Sequence, residues 1–401
     1  MLHRFFQSSF WTQVFLVTLF TFTVHVLIQG LGLNIVMAYY LKSGNLLLEK
    51  GDPNLYISTL QYGIANSFKY SPLLALVLGG IAQTFSATGP NLLLLGGWIL
   101  GGNFLFACGL CRWCDFSARA PFYFLLAVAA AVLDTVLSTG AYQINTIVIG
   151  IMLLGLAEYR DGRYYTAGAL LMLAANLKIY PVIFLVALML RFRWKFWIGA
   201  FVGGVIVFIL PAIWVGWTYN FNLHLSWVRA VLDVTGDVRI LDITAAFERV
   251  GLTTLGLVLH KVVFAVSLVI FYAYAALSKR MDWRPWLTFG IAAMLLISPR
   301  SEIYTYIMLA AAYLPLFYWC RESEVGFIKK FGAIIVTLLA VACASMRFIN
   351  PKWYHSEEPV EIVRVLCAMG SWIFTGAVLA FALYKNIKER RAAVRLRNSA
   401  A

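Results

Sequence analysis

The sequence predicts an all-α, polytopic integral membrane protein with about twelve transmembrane helices plus re-entrant or interfacial helices. Three observations predict it. The 401 residues are 62% hydrophobic and only 12% charged, whereas a soluble domain carries roughly 25% charged residues. The mean hydropathy is +0.81. The apolar runs are long and do not alternate, so they read as helices and not as barrel strands. No loop is long enough to hold a soluble domain, so 1–401 reads as a single integral-membrane domain.

The elements follow in order. His3 and Arg4 precede the first apolar run and place the N-terminus in the cytoplasm. Residues 11–33 are too long for a signal-peptide core and lack a clear cleavage site, so they read as a helix. Residues 34–71 form a polar outer loop, within which 40–50 read as an interfacial amphipathic helix and Gly51-Asp52-Pro53-Asn54 as a turn. Residues 72–85 are apolar but shorter than the roughly 20 residues of a full crossing, and read as re-entrant. Apolar runs follow at 91–111, 121–137 and 144–156, the last ending in a basic turn with Arg160 and Arg163. The runs 166–177 and 182–190 are short, as in helices broken around a cavity. Residues 196–217 rise to a second polar outer loop, 218–249. Four more runs (252–277, 286–297, 304–318 and 331–346) lead to a third outer loop, 347–362. Residues 363–384 then return to a basic cytoplasmic tail, 385–401. A cytoplasmic start and finish need an even number of crossings; 72–85 is the odd segment, which leaves about twelve.

The net charge is +14. The excess sits in short loops and in the tail, which fits the positive-inside bias and attraction to anionic headgroups. No basic-aromatic module is present, which argues against nucleic acid as a partner. Cys108, Cys111 and Cys114 form C-x-x-C-x-x-C, but zinc wants four ligands and no fourth Cys or His lies near. We therefore expect no metal. His25 and His260 interrupt apolar helices and read as packed, satisfied side chains.

The unusual polar residues gather on the expected outer side: Asp52, Tyr56, Lys69, Tyr70, Asp134, Gln143, Asn145, Lys178, Asp242, Arg249, Arg300, Glu302 and Tyr304. Such a set is what one outward-facing cavity would need. Lys69, Lys178, Arg249 and Arg300 offer donors that match phosphate oxygens. A carboxylate beside them can take a proton from a hydroxyl. Cations that hold a departing phosphate, next to a base, suit transfer of a sugar from a lipid phosphate to an acceptor hydroxyl. That chemistry needs no cofactor. Each residue also has a plainer reading. Asp52 before Pro53 suits a turn, Lys69 and Tyr70 suit interfacial anchors, and Arg300 with Glu302 suits a structural bridge.

Gly51-Asp52-Pro53-x-x-Tyr56, followed by Phe68-Lys69-Tyr70-Ser71-Pro72-Leu73, resembles the start of the polyprenol-phosphate-dependent glycosyltransferases of family 87. Gln143-Ile144-Asn145 resembles that family's G-Q-x-N at a helix start. Ala167-Gly168 with Asn176-Leu177-Lys178-Ile179-Tyr180-Pro181 resembles its A-G…K-x-x-P, and Ser298-Pro299-Arg300-Ser301-Glu302-Ile303-Tyr304 its S-P loop. Asp242-Ile243-Thr244 with Arg249 is a looser echo. The ordered set covers 34 to about 306. The resemblance implies a C-type glycosyltransferase fold in the plasma (inner) membrane, with the active site on the extracytoplasmic side. It implies a polyprenyl-phosphate sugar as donor, typically mannose or arabinofuranose, and a glycolipid, glycan or other acceptor. It also implies inverting displacement by an acidic base in the first outer loop, here Asp52, with Asp134 as second candidate.

One departure matters. Where the family has an Asp just after the first helix, about five residues before a Tyr, this chain has Asn34 followed by Tyr39. Asn cannot act as a general base. Either the correspondence shifts by a few residues, or Asp52 takes the role and Asn34 is left to bind substrate, or the chain is a non-catalytic relative. A transporter or flippase for a lipid-linked or small polar substrate is the alternative from another class. It should show two internally similar halves, and the sequence shows none.

Overall fold

Apolar segments in hydrocarbon must satisfy their own backbone hydrogen bonds, and here they do so as helices. The computed structural model describes residues 10–29, 47, 70–85, 92–114, 144–232, 242–278, 281–297, 306–349 and 358–400. Among them are fourteen α-helices, one π turn and no strand. Four of these helices are long and apolar enough to cross a membrane: Phe10–Leu27, Trp194–Val215, Thr253–Leu277 and Ile362–Glu389. Shorter apolar helices cover Pro72–Ile81, Tyr164–Leu177 and Trp283–Ile297. The expected interfacial helix over 40–50, Leu47 apart, and the expected span over 121–137 lie outside the described residues, so the count of about twelve crossings rests partly on the latter. The chain divides into two compact units.

The first unit is Met1–Leu185 with Arg193–Val238. It contains α1 (Phe10–Gln29), α2 (Pro72–Phe85), α3 (Leu92–Cys114), α4 (Asn145–Arg160), α5 (Tyr164–Leu177), the start of α6 (Val182–Met189), α7 (Trp194–Val215) and α8 (Trp217–Leu232). Helix α1 packs on α3 and leaves Trp11, Phe15, Leu19 and Phe20 exposed, a face suited to lipid. Its buried side is polar, with Thr18, Thr21 and His25. The threonine hydroxyls donate back to the Val14 and Val17 carbonyls at 2.7 and 2.9 Å, which leaves neither donor bare in hydrocarbon.

Helices α3 and α4 run in the same direction. Gly102 faces Thr146, Gly109 faces Gly150, and Arg112 meets Glu158 at 3.6 Å. A Cβ on Gly109 or Gly150 would strike the other helix's backbone, so only glycine permits this approach. The pair closes in an ionic knot. Arg112 reaches Asp161 at 2.5 Å, Arg163 pairs with Glu158, and Arg160 donates to the Trp113 and Arg112 carbonyls at 2.8 and 3.2 Å. Arg160 thus caps the last turn of α3, where carbonyls lack helical partners. The bond from Arg163, reinforced by Arg112, holds the Glu158 carboxyl below its ordinary value.

Within the expected outer loop 218–249, the described residues are helical: Trp217–Leu232 and Ile243–Arg249. Gly216, at φ +89°, turns the chain out of α7 directly into α8. Helix α8 packs against α7, with Asn220 Nδ2 donating to the Phe208 carbonyl at 2.9 Å. Trp217, Phe221, Leu225 and Val228 make an exposed apolar stripe, and Leu223 and Trp227 are buried. Its scattered Asn and His residues hide this period in a reading by polarity alone.

The second unit is Val186–Phe192 with Arg239–Ala401. It contains α9 (Ile243–Arg249), α10 (Thr253–Leu277), α11 (Trp283–Ile297), α12 (Ile307–Glu322), a π turn (Ile328–Gly332), α13 (Ala333–Ile349) and α14 (Glu358–Ala400). Helix α11 is its core. Every residue from Pro285 to Leu296 is buried, against α10, α12 and α14. Trp286 stacks on Phe271 at 4.5 Å, and its indole donates to the Phe271 carbonyl. One end of α11 is clamped. Trp319 donates to the Asp282 carboxylate, Arg284 pairs with Glu322 at 2.7 Å, and Arg191 donates to the Ala275 and Ser278 carbonyls. Burial pushes the Asp282 carboxyl up, and the indole bond works against it. The basic tail, through Ala400, continues α14 without a break, giving a helix of 43 residues.

Candidate active site

The polar groups that the first unit brings together come from three chain segments. Ser71 and Pro72 start α2. Proline at the first helical position needs no N–H partner, and the Leu74 amide donates to Ser71 Oγ at 3.4 Å. This start fixes Tyr70, which is buried. Asn145 is the first residue of α4 and is fully buried. Lys178 follows α5 in extended conformation (φ −148°, ψ 130°), because Pro181 disfavours continued helix and the chain must turn before α6.

Lys178 is 9% exposed. Its Nζ donates to Asn145 Oδ1 at 2.8 Å and lies 5.9 Å from the Tyr70 ring centre and 5.1 Å from that of Tyr180. Lysine only donates, so this bond fixes the Asn145 amide with Oδ1 toward the ammonium. Asn145 Nδ2 is buried with no hydrogen-bond partner among the described residues. The arrangement holds an ammonium on two aromatic faces and an amide oxygen, with an amide N–H in reserve. Both donors favour an anionic or hydroxyl oxygen.

Of the residues expected to bind substrate, Tyr70 and Asn145 thus lie against Lys178. Arg249 is not among them; it ends α9 in the second unit, half-buried. Asn34, Asp52, Tyr56, Lys69, Asp134, Gln143, Arg300, Glu302 and Tyr304 lie outside the described residues. Asp242, the N-cap of α9, accepts from the Ala245 amide at 2.7 Å. Burial pushes its carboxyl up against the pull of that bond. His260 shares a 3.2 Å bond with Thr244, and His25 is buried.

Sequence reasoning missed two groups. Arg364 in the second unit is fully buried, with its guanidinium 5.6 Å over the ring of Tyr306, itself fully buried. An arginine two positions into an apolar run was the available signal, since intramembrane charges default to function. Asn103 in the first unit, also fully buried, breaks the run of α3 in the same way.

Compared with curated proteins, the sequence gives no match. Residues 56–299, the stretch that carries Tyr70, Asn145 and the buried Lys178, match glycosyltransferase family 87, and the chain belongs to that family.

Proposed function

We propose that this membrane glycosyltransferase moves a sugar, mannose, from a polyprenyl-phosphate donor to an acceptor hydroxyl at the extracytoplasmic face, by inverting displacement. Lys178 contacts the donor phosphate and offsets the charge that grows on it as the sugar leaves. Tyr70 and Asn145 hold the ammonium in place. Asp52 takes the acceptor proton, with Asp134 as second candidate, and no cofactor takes part. Partners are the lipid-linked donor and a glycolipid or glycan acceptor, in the plasma membrane.

The observation that carries this reading is a buried ammonium fixed by Asn145 and two tyrosines, inside the residues that match the family. An ammonium held there on aromatic faces is a donor that suits a phosphate oxygen. Membranes containing the protein, a labelled polyprenyl-phosphate mannose and an acceptor provide the test. Label passes to the acceptor in the wild type, and Asp52→Asn abolishes transfer. An active Asp52→Asn with a dead Asp134→Asn moves the base to Asp134. Movement of intact donor across vesicles without cleavage overturns the enzyme reading.

A further inference from the structure

Asn103 stands halfway along α3, whose ends are Leu92 and Cys114. It is 0% exposed, and among the described residues neither its Oδ1 nor its Nδ2 has a hydrogen-bond partner. A carboxamide withdrawn from water and left unpaired is strongly unfavourable, so a native one calls for an explanation. Thr18 and Thr21 bond to their own helix and Lys178 to Asn145, and Asn145, Asn176, Asn220 and His224 each keep one unmet polar atom, but among these Asn103 alone has both ends of its carboxamide unmet among the described residues.

Its level in the unit is fixed by its neighbour. A Cβ on Gly102 would come 2.8 Å from Thr146 Oγ1. Asn103 is therefore one residue from the contact on α3, and Asn145 is one residue from it on α4. Asn145 is the other amide with a buried, unpartnered Nδ2. Two carboxamides with unmet capacity thus occur at one level of the α3–α4 pair, and the second holds Lys178.

We infer that Asn103 and Asn145 form a hydroxyl-recognising subsite beside Lys178, which takes the ring hydroxyls of a sugar. A hydroxyl both donates and accepts, and Asn103 offers both functions while Asn145 offers a donor. A phosphate would use donors alone and leave the Asn103 oxygen unmet. The inference rests on the glycosyltransferase reading and adds the group that reads the sugar and not its lipid phosphate.

The experiment compares wild type with Asn103→Leu, of similar size, and Asn103→Ser as a second variant should the first not fold, in nanodiscs. Three quantities are read: binding of polyprenyl-phosphate mannose, binding of the sugar-free polyprenyl phosphate, and KM for the acceptor. Asn103→Leu weakens mannose-donor binding by about tenfold, the scale of one hydrogen bond, and leaves the sugar-free lipid unchanged. A rise confined to the acceptor KM sustains the subsite and assigns its hydroxyls to the acceptor. Unchanged donor binding and acceptor KM, or equal weakening of both lipids, overturns it, since Asn103 is then a packing residue or the partner of a structural water. A wild type that binds donor but transfers nothing sinks the transfer reading, while the binding comparison still reads the subsite.

Discussion

A lysine ammonium in a protein interior is stable only where oxygens and aromatic faces replace its water, and Lys178 has both. Lys178→Met keeps the apolar stem and removes the charge. We expect transfer to fall by about 30- to 1,000-fold in kcat/KM, the scale of one charge-stabilising contact, and Lys178→Arg to retain part of it. Turnover in membranes at limiting donor checks this. Glu158 belongs to a different chemistry. Its carboxyl is held below its ordinary value chiefly by the Arg163 bond, so folding is favoured while it is ionised. That stabilisation is present above the unfolded-state value and is lost as pH falls through the depressed one. Thermal unfolding in detergent, scanned downward from neutral pH, should show a loss in the acidic range that is smaller in Glu158→Gln. The two residues also differ in legibility. Lys178 was readable because it interrupts two short apolar runs next to a proline. Its partner Asn145, 33 positions away, was legible as one polar residue of the expected outer side, but nothing in spacing alone ties α4 to the end of α5.

At the level of elements, glycine sets how closely helices approach. Gly150→Leu places a side chain where α3 backbone already lies. We expect it to lower stability by about 1–3 kcal/mol or more, as overpacking does, read as a drop in the unfolding midpoint. Gly216 works through its backbone. At φ +89° and ψ 155° only glycine is unstrained, so Gly216→Val should cost about 1–3 kcal/mol, measured in the same way. The long apolar helices were legible, with boundaries that moved by a few residues. Helix α8, inside the stretch read as an outer loop, was not. Its polar residues suggested a loop because α8 exposes a narrow apolar stripe while Asn220 is satisfied by a carbonyl of α7, a contact no local pattern reveals. Arg364 escaped for the converse reason: one charge among apolar neighbours was absorbed into the run.

Across each unit, buried polar groups act as pins in an otherwise greasy interior. In the second unit, Arg364→Ala would remove the long stem and guanidinium that cover Tyr306. A loss of about 2–4 kcal/mol is expected, typical of a large deletion in a core. Arg364→Met should recover much of it, since apolar replacements of similar volume are often tolerated. Unfolding of the purified protein reads both. The unbroken α14 has a mechanical meaning. Arg364 and Lys388 sit on one rod, separated by roughly 36 Å at 1.5 Å per residue. A basic end is drawn to anionic lipid headgroups, and anchoring there would dictate the height and the azimuth of the other end, as a bolt's head does for its tip. One alanine inserted between them would turn Arg364 through about 100° and shift it by about 1.5 Å against a fixed anchor.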